Sequence, residues 1–198
     1  MKVLVACEFS GIVRDAFIAR GHDAASCDLL PSEAPGPHIQ GDVLSVLDNG
    51  WDMMIAHPPC TYLCSSGLHW NHRRTEREPL TLHALAFVEA LWEAKISRVA
   101  LENPRGCIST RSSLGRAAQT IQPHEYGHDA SKATCLWLRG LPPLIPTQQV
   151  VPRIINGKPR WGNQTDSGQN KLPPSAHRSA DRSLTYRGIA DAMAAQWG

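Results

Sequence analysis

The sequence predicts an α/β protein of the Rossmann-like kind: a mostly parallel sheet with helices on both faces. Two observations carry that expectation. Short apolar runs alternate with stretches of helical period through the first half of the chain. Strands that alternate with helices argue for a mostly parallel sheet covered on both faces. And 198 residues, 42% hydrophobic and 19% charged, suit a single core of that size.

The elements follow in order. Lys2 to Cys7 is an apolar run that gives way to Glu8-Phe9-Ser10-Gly11, and Ile12 to Arg20 repeats apolar residues at Ile12, Val13, Ala16, Phe17 and Ala19. That is strand, turn and helix, with Gly21 as the stop. Asp23 to Cys27 forms a second strand ending at Asp28, and the Pro-rich stretch Leu30 to Pro37 is a loop. Gly41-Asp42-Val43 opens a short helical turn, and Trp51 to Ala56 is an apolar strand halted by His57-Pro58-Pro59-Cys60. Thr61 to Glu78 is polar and too long for a plain connection, which marks it as a functional loop. Thr81 to Ala94 reads as an amphipathic helix, and Arg98 to Leu101 as a strand stopped by Glu102-Asn103-Pro104. Beyond Gly106 the pattern weakens. Gln119 to Gln122 and Thr134 to Leu138 read as late strands, Pro142 to Arg182 shows no periodicity, and Gly188 to Trp197 closes the chain as a helix.

Composition narrows the function classes. No apolar run approaches the roughly 18 residues a spanning helix needs, and the N-terminus lacks a secretory pattern, so a cytoplasmic protein without a membrane partner is expected. The net charge of +2 neither requires nor excludes a polyanion, but its distribution is uneven. Between Val151 and Arg187 stand Arg153, Lys158, Arg160, Lys171, Arg178, Arg182 and Arg187 against only Asp166 and Asp181. The six cysteines are scattered, apart from Cys60 and Cys64, which argues against a disulfide framework and leaves Cys7, Cys27 and Cys135 as small buried hydrophobes. Cys60 and Cys64 lie near His69 and His72, yet no second cysteine pair completes a zinc set, so no metal is expected.

In a parallel sheet ligands sit beyond the carboxyl ends of the strands, where Glu8 to Gly11, Asp28, Pro58 to Cys60 and Glu102 to Pro104 all fall. The turn after the first strand lacks the G-x-G-x-x-G fingerprint, which disfavours a pyrophosphate. A carboxylate at Asp28 suits ribose hydroxyls and Asp42 suits an adenine amino group, a description that S-adenosylmethionine meets; as plain loop or cap residues the two aspartates would need no ligand. Two prolines hold the Cys60 thiol rigidly at a strand end, as a nucleophile would be held. Glu102, on the next strand end and followed by Asn103 and Pro104, supplies the acid that thiolate addition requires.

Cys7 to Gly11, Asp28, Gly41-Asp42-Val43, Pro58-Pro59-Cys60, Glu102-Asn103-Pro104 and Tyr126-Gly127 occur in the order of the motifs of DNA (cytosine-5)-methyltransferases, and the chain resembles the short forms of that family common in phage genomes. The resemblance covers about residues 1 to 140 and, weakly, the last helix. It implies the methyltransferase version of the Rossmann-like fold, S-adenosylmethionine as cofactor, cytosine-containing DNA as partner and, for a phage protein, the cytoplasm of a bacterial host. By it Phe9 stacks on adenine, with Ser10, Gly11, Asp28, Leu29, Asp42, Val43 and Pro58 completing the cofactor side. Cys60 attacks C6 and Glu102 protonates N3, with Pro59, Asn103 and Lys132 beside them. C5 then gains enamine character and takes the methyl group, and loss of the C5 proton expels the thiolate. A duplex would require base flipping.

The departures are specific. Val13-Arg14 stands where a glycine pair usually follows, Thr61 where a glutamine follows the cysteine, Thr134 where an arginine is expected to touch the base, and Ser183 at best for the closing asparagine. Residues 1–145 are read as the cofactor and catalytic core, 146–185 as a short basic segment in place of a target-recognition domain, and 186–198 as a helix returning to the core. Arg153, Lys158, Arg160 and Lys171, with Arg73 and Arg74 beside the Pro-Cys turn, are the expected nucleic-acid contacts. Three other readings stay open: an exocyclic-amino methyltransferase, a cytosine-nucleotide methyltransferase, and a non-catalytic DNA-binding protein with the cofactor fold.

Overall fold

Val3, Leu4, Val5 and Ala6 have no exposed surface on either side, the mark of a central strand covered on both faces. The computed structural model describes residues 1–71, 73–173 and 185–198. In it β1 (Lys2–Ala6), β2 (Asp23–Asp28), β3 (His38–Gln40), β4 (Met53–Ala56) and β5 (Arg98–Pro104) pair in parallel. They join β6 (Gln119–Ile121) and β7 (Thr134–Arg139) in one seven-stranded sheet of order β3-β2-β1-β4-β5-β7-β6. Strand β7 is antiparallel to both neighbours and wedges between β5 and β6, so an α/β fold with a mostly parallel mixed sheet is what forms. The order runs outward in both directions from β1 and β4, which puts a topological switch point between those two strands.

Helix α1 (Ile12–Ile18) and the last helix, α5 (Arg187–Trp197), cover one face, where Val13, Phe17, Ile189, Met193 and Trp197 pack on Val3, Val5 and Ile55. The other face is covered by α3 (Arg77–Glu93) and the 3-10 turn Val43–Val46, through Leu85, Val88, Leu91, Val43 and Val46 against Leu4, Met54 and Leu101. Each such fully buried side chain contributes about 1.5–3 kcal/mol. Among the described residues no helix is long and apolar enough to cross a membrane.

Several expectations are corrected. The stretch expected as a long loop, Thr61 to Glu78, contains α2 (Ser65–Leu68) and the first turn of α3, which starts at Arg77 and not at Thr81. Strand β3 forms at the edge although only three residues build it. Glu102-Asn103-Pro104 does not end β5 but belongs to it, because β7 supplies partners there: Glu102 faces Leu136, Asn103 faces Cys135 and Pro104 faces Thr134. Pro104, which has no N–H to give, takes the last place. A further short helix, α4 (Ile108–Arg111), follows. The segment after residue 145 is not featureless. It holds a hairpin, β8 (Arg153–Ile155) with β9 (Lys158–Arg160), turned at Asn156 (φ 51°) and Gly157 (φ 72°), the left-handed pair that a two-residue turn demands. Arg178, Arg182, Ser183 and His72 lie outside the described residues.

Candidate active site

The parallel pairing of β2, β1, β4 and β5 brings the four marked segments to one rim. Two clusters form there, on either side of the switch point.

On the β1–β2 side the groups are acidic. Glu8 is buried at 5% exposure, and its carboxylate accepts from the backbone N–H of Val13 (2.7 Å) and Arg14 (3.3 Å) at the start of α1. That carboxylate takes the place a phosphate would want, so the site disfavours a pyrophosphate in charge as well as in sequence. Asp28 accepts from Leu30 N–H and Asp42 from Leu44 N–H, each a local turn using one oxygen. Both carboxylates act on Cys7, whose thiol is pushed well above its ordinary range first by burial and then by Asp28, Cys27 and Asp42. Burial and the same aspartates raise Cys27 to about 11. Cys7 itself sits at φ 59°, a left-handed turn that a non-glycine residue adopts only under constraint. Leu29, Leu30 and Leu44 stand exposed next to these carboxylates, apolar surface beside hydrogen-bond acceptors. Ser10 and Gly11 lie in the turn and Phe9 is half-buried, whereas the Val43 side chain is in the core and only its backbone reaches the rim.

Arg14 explains one departure. Its side chain is fully buried, and its guanidinium donates to Asp15 (2.8 Å), Ser26, Ser32 and the carbonyls of Ala34 and Pro35, tying the Pro-rich loop to α1. Gly11 and Gly36 are glycines for the same reason, since a Cβ on either would fall within 3.0 Å of that guanidinium.

Across the switch point lies the second cluster. Asn103 Nδ2 donates to the Pro58 carbonyl at 2.8 Å, which clamps the end of β5 to the Pro58-Pro59-Cys60 turn. Pro58 is buried and Pro59 exposed. The Cys60 thiol is held above its ordinary range by a hydrogen bond with Cys64, by burial and by the nearby Cys64 and Glu102, while Lys132 pulls the other way. Burial alone would raise Glu102, but its hydrogen bond with His57, the charges of His57 and Lys132, and the Thr134 hydroxyl outweigh it, and the carboxyl ends below the usual range. Cys60, Glu102 and Lys132 are therefore brought together from three segments. Thr134, standing where an arginine is expected, is buried at 4% and supports Glu102.

His57 is the residue sequence reasoning missed. Its Nδ1 lies 2.7 Å from Glu102 Oε2, with 9% and 11% of the two side chains exposed. Its position before two prolines reads only as the end of a strand, and the sequence carries no signal that its ring turns to the next strand.

The basic residues divide. Arg73 and Arg74 flank the half-exposed Trp70 ring at 5.7 and 5.5 Å, and Arg77 lies over Tyr62 at 4.6 Å, so the stretch that follows Cys60 carries two cation–aromatic groups. In the hairpin segment Arg153 pairs with Asp166, Arg160 donates to the Asp166 carbonyl and Lys171 to the Gly162 carbonyl, which spends these side chains on the segment's own fold. Lys158 is exposed at the hairpin. The segment is fastened to the loop before β7 by the stacked rings of His124 and Trp161 (4.3 Å) and by Ser131 N–H on Asn163 Oδ1. Among the described residues no three His, Cys, Asp or Glu side chains gather as a metal set.

No protein-family model and no curated protein matches the chain. Among solved structures, an E. coli protein that is a proposed DNA modification methyltransferase encoded within a prophage matches at 16% identity and a TM-score of 0.45. The match covers 79% of this chain and 53% of that one, so the chain spans about half the length of that structure.

Proposed function

We propose that the protein is an S-adenosylmethionine-dependent methyltransferase acting on C5 of cytosine in DNA through a covalent bond between Cys60 and C6. The observation that carries this reading is the meeting of Cys60, in the turn after β4, with Glu102 in the last part of β5, clamped by Asn103 on the Pro58 carbonyl. A thiol next to a carboxyl group is what addition to C6 with protonation of N3 requires, whereas transfer to an exocyclic amine needs neither. The β1–β2 cluster fits the cofactor by its donor set: carboxylates at Glu8, Asp28 and Asp42, exposed Leu29 and Leu44, and a lone arginine already consumed by the Pro-rich loop. That surroundings suit a sulfonium cation, ribose hydroxyls and a flat base, and not a chain of phosphates. S-adenosylmethionine supplies the electrophilic methyl group. Phe9, Asp28 and Asp42 bind it, Cys60 and Glu102 activate the base, and Lys132 offsets the negative charge that builds between them. Trp70, Arg73 and Arg74 offer stacking and phosphate contacts for the DNA strand beside the site.

DNA containing 5-fluorocytosine tests the reading, because fluorine at C5 cannot leave as a proton and the thiolate stays bound. A denaturation-resistant adduct lost in Cys60→Ser is expected, together with 5-methylcytosine in the nucleosides of ordinary DNA. Methylation at an exocyclic nitrogen without an adduct would overturn it.

A further inference from the structure

We infer that His57 is a positioning residue that stores, at Nδ1, the proton Glu102 delivers to the base. The inference rests on the cytosine reading above and adds a residue that the resemblance does not supply.

Three observations point to it. The Nδ1···Oε2 separation of 2.7 Å is that of a charge-assisted hydrogen bond, and both side chains are about nine-tenths buried. His57 Nε2 is buried and finds no partner among the described residues, a state that costs free energy and that a histidine merely filling space would avoid. And the position from which an arginine would be expected to serve the site holds Thr134, which carries no charge. Cationic support for Glu102 comes instead from His57 and Lys132.

The hydrogen bond and charge of His57, with Lys132, hold Glu102 as the carboxylate against burial, so Glu102 by itself carries no proton to deliver. Paired with His57 it need not hold the proton at rest. With the ring protonated, the Nδ1–H bond breaks and the proton passes to Oε2. That leaves a neutral imidazole carrying its hydrogen on Nε2 and a carboxylic acid on Glu102. The acid hydroxyl turns to the base and donates to N3 as Cys60, having released its thiol proton to solvent, bonds through sulfur to C6. When solvent water takes the C5 proton and the S–C6 bond breaks to release the Cys60 thiolate, N3 returns its proton to Glu102 and the ring recovers it. No proton is created or lost at the pair over the cycle. A proton stored on the imidazole, and not on the carboxyl group, then sets how far the reaction persists as pH rises. Among the described residues, the titratable groups around the pair include Cys60 and Cys64 in the following turn, Lys132 before β7, and Tyr186 before α5, which lines one cavity with Glu102 and Lys132.

Two measurements test this. In the free protein, NMR of the His57 imidazole follows its protonation in wild type and in Glu102→Gln. Loss of the carboxylate is expected to move the midpoint down by at least about one pH unit. An unmoved midpoint would overturn the inference without reference to catalysis. In single-turnover methyl transfer, His57→Asn keeps a neutral N–H near the Nδ1 position but cannot store the proton. The wild-type rate is expected to fall as pH rises through the midpoint of the pair. In His57→Asn that limb should move to lower pH by at least about one unit, with a rate at pH 7.5 reduced more than about tenfold and cofactor affinity within about twofold. A variant with the wild-type rate and pH profile would overturn the inference while the cytosine reading stands. A wild-type protein that neither methylates cytosine nor forms the 5-fluorocytosine adduct would overturn both that reading and the delivery step.

Discussion

Gly106 offers a direct test of how Cys60 and Glu102, the two halves of the proposed catalytic pair, are held at their spacing. It follows β5 two residues beyond Pro104 and meets the turn after Cys60. Gly106 bridges to Cys64, Cys107 N–H donates to the Leu63 carbonyl at 2.9 Å, and Ser65 N–H donates to the Arg105 carbonyl at 3.0 Å. A Cβ at position 106 would lie 1.8 Å from the Leu63 carbonyl oxygen and 2.7 Å from Cys64 Cα, both backbone atoms, whereas real Cβ contacts stay above 3.0 Å. Gly106→Ala must therefore part the Cys60 turn from the end of β5 by at least about 1.2 Å. A displacement of about 1 Å of reacting groups costs on the order of 100-fold in rate, or about 2.7 kcal/mol of transition-state stabilisation. The expected result is adduct formation with 5-fluorocytosine DNA slowed about 100-fold, while calorimetry still detects cofactor binding, because the Asp28 and Asp42 side of the rim lies across the switch point. Thermal denaturation of the same sample establishes that the variant is folded. A folded Gly106→Ala that forms the adduct within about twofold of the wild-type rate would refute the claim that this contact sets the spacing of Cys60 and Glu102.

Other outcomes follow from the same geometry. Arg14→Ala removes a fully buried guanidinium and strands the Ala34 and Pro35 carbonyls and the Ser26 and Ser32 hydroxyls; about 3–5 kcal/mol should be lost in urea denaturation, and a loss under about 1 kcal/mol would show that the loop is held by other means. Cys64→Ala takes away the largest influence raising the Cys60 thiol, so alkylation of Cys60 by iodoacetamide at pH 8 should quicken, and an unchanged rate would count against that contact. Glu102, held below the ordinary carboxylate range, stabilises the fold at pH above the unfolded value near 4.3 and loses that contribution as pH falls toward its folded value; the acid side of the stability curve should flatten in Glu102→Gln. Asp28→Ala should weaken S-adenosylmethionine at least about tenfold by calorimetry, about 1.4 kcal/mol, and equal affinity would remove Asp28 from the site.

What the sequence made legible is what periodicity encodes. The central strands and α1, α3 and α5 announce themselves through buried apolar spacing, and the strand ends follow from Gly, Pro and Asp. Strand β3 was illegible because three residues after a proline-rich loop hold too little pattern, and its partner is chosen by β2. The extension of β5 through Glu102 and Asn103 depends on β7, some thirty residues on, so a polar Glu-Asn-Pro reads locally as a stop. The hairpin was not read from the sequence, because the turn pair Asn156-Gly157 stands without apolar alternation around it. At the site, Cys60 and Glu102 could be paired from their places on neighbouring strands. The orientation of His57 toward Glu102 and the route of the Arg14 guanidinium into the Pro-rich loop are tertiary facts that no local pattern contains.

The return of α5 to α1 has a consequence for how the protein is made. Ile189, Ala190, Met193, Ala194 and Trp197 close the face of the sheet that carries Val13, Ala16 and Phe17, residues that precede them by some 170 positions. At the usual speed of translation, about 5–20 residues per second, that face waits roughly ten to forty seconds for its cover. The opposite face has its helix, α3, by Glu93 and can consolidate early. The two layers of this core therefore mature at different times on the ribosome. A nascent chain stalled before Tyr186 leaves open to solvent the part of α1 and of the sheet that α5 covers, the condition in which chaperone capture or aggregation competes with folding.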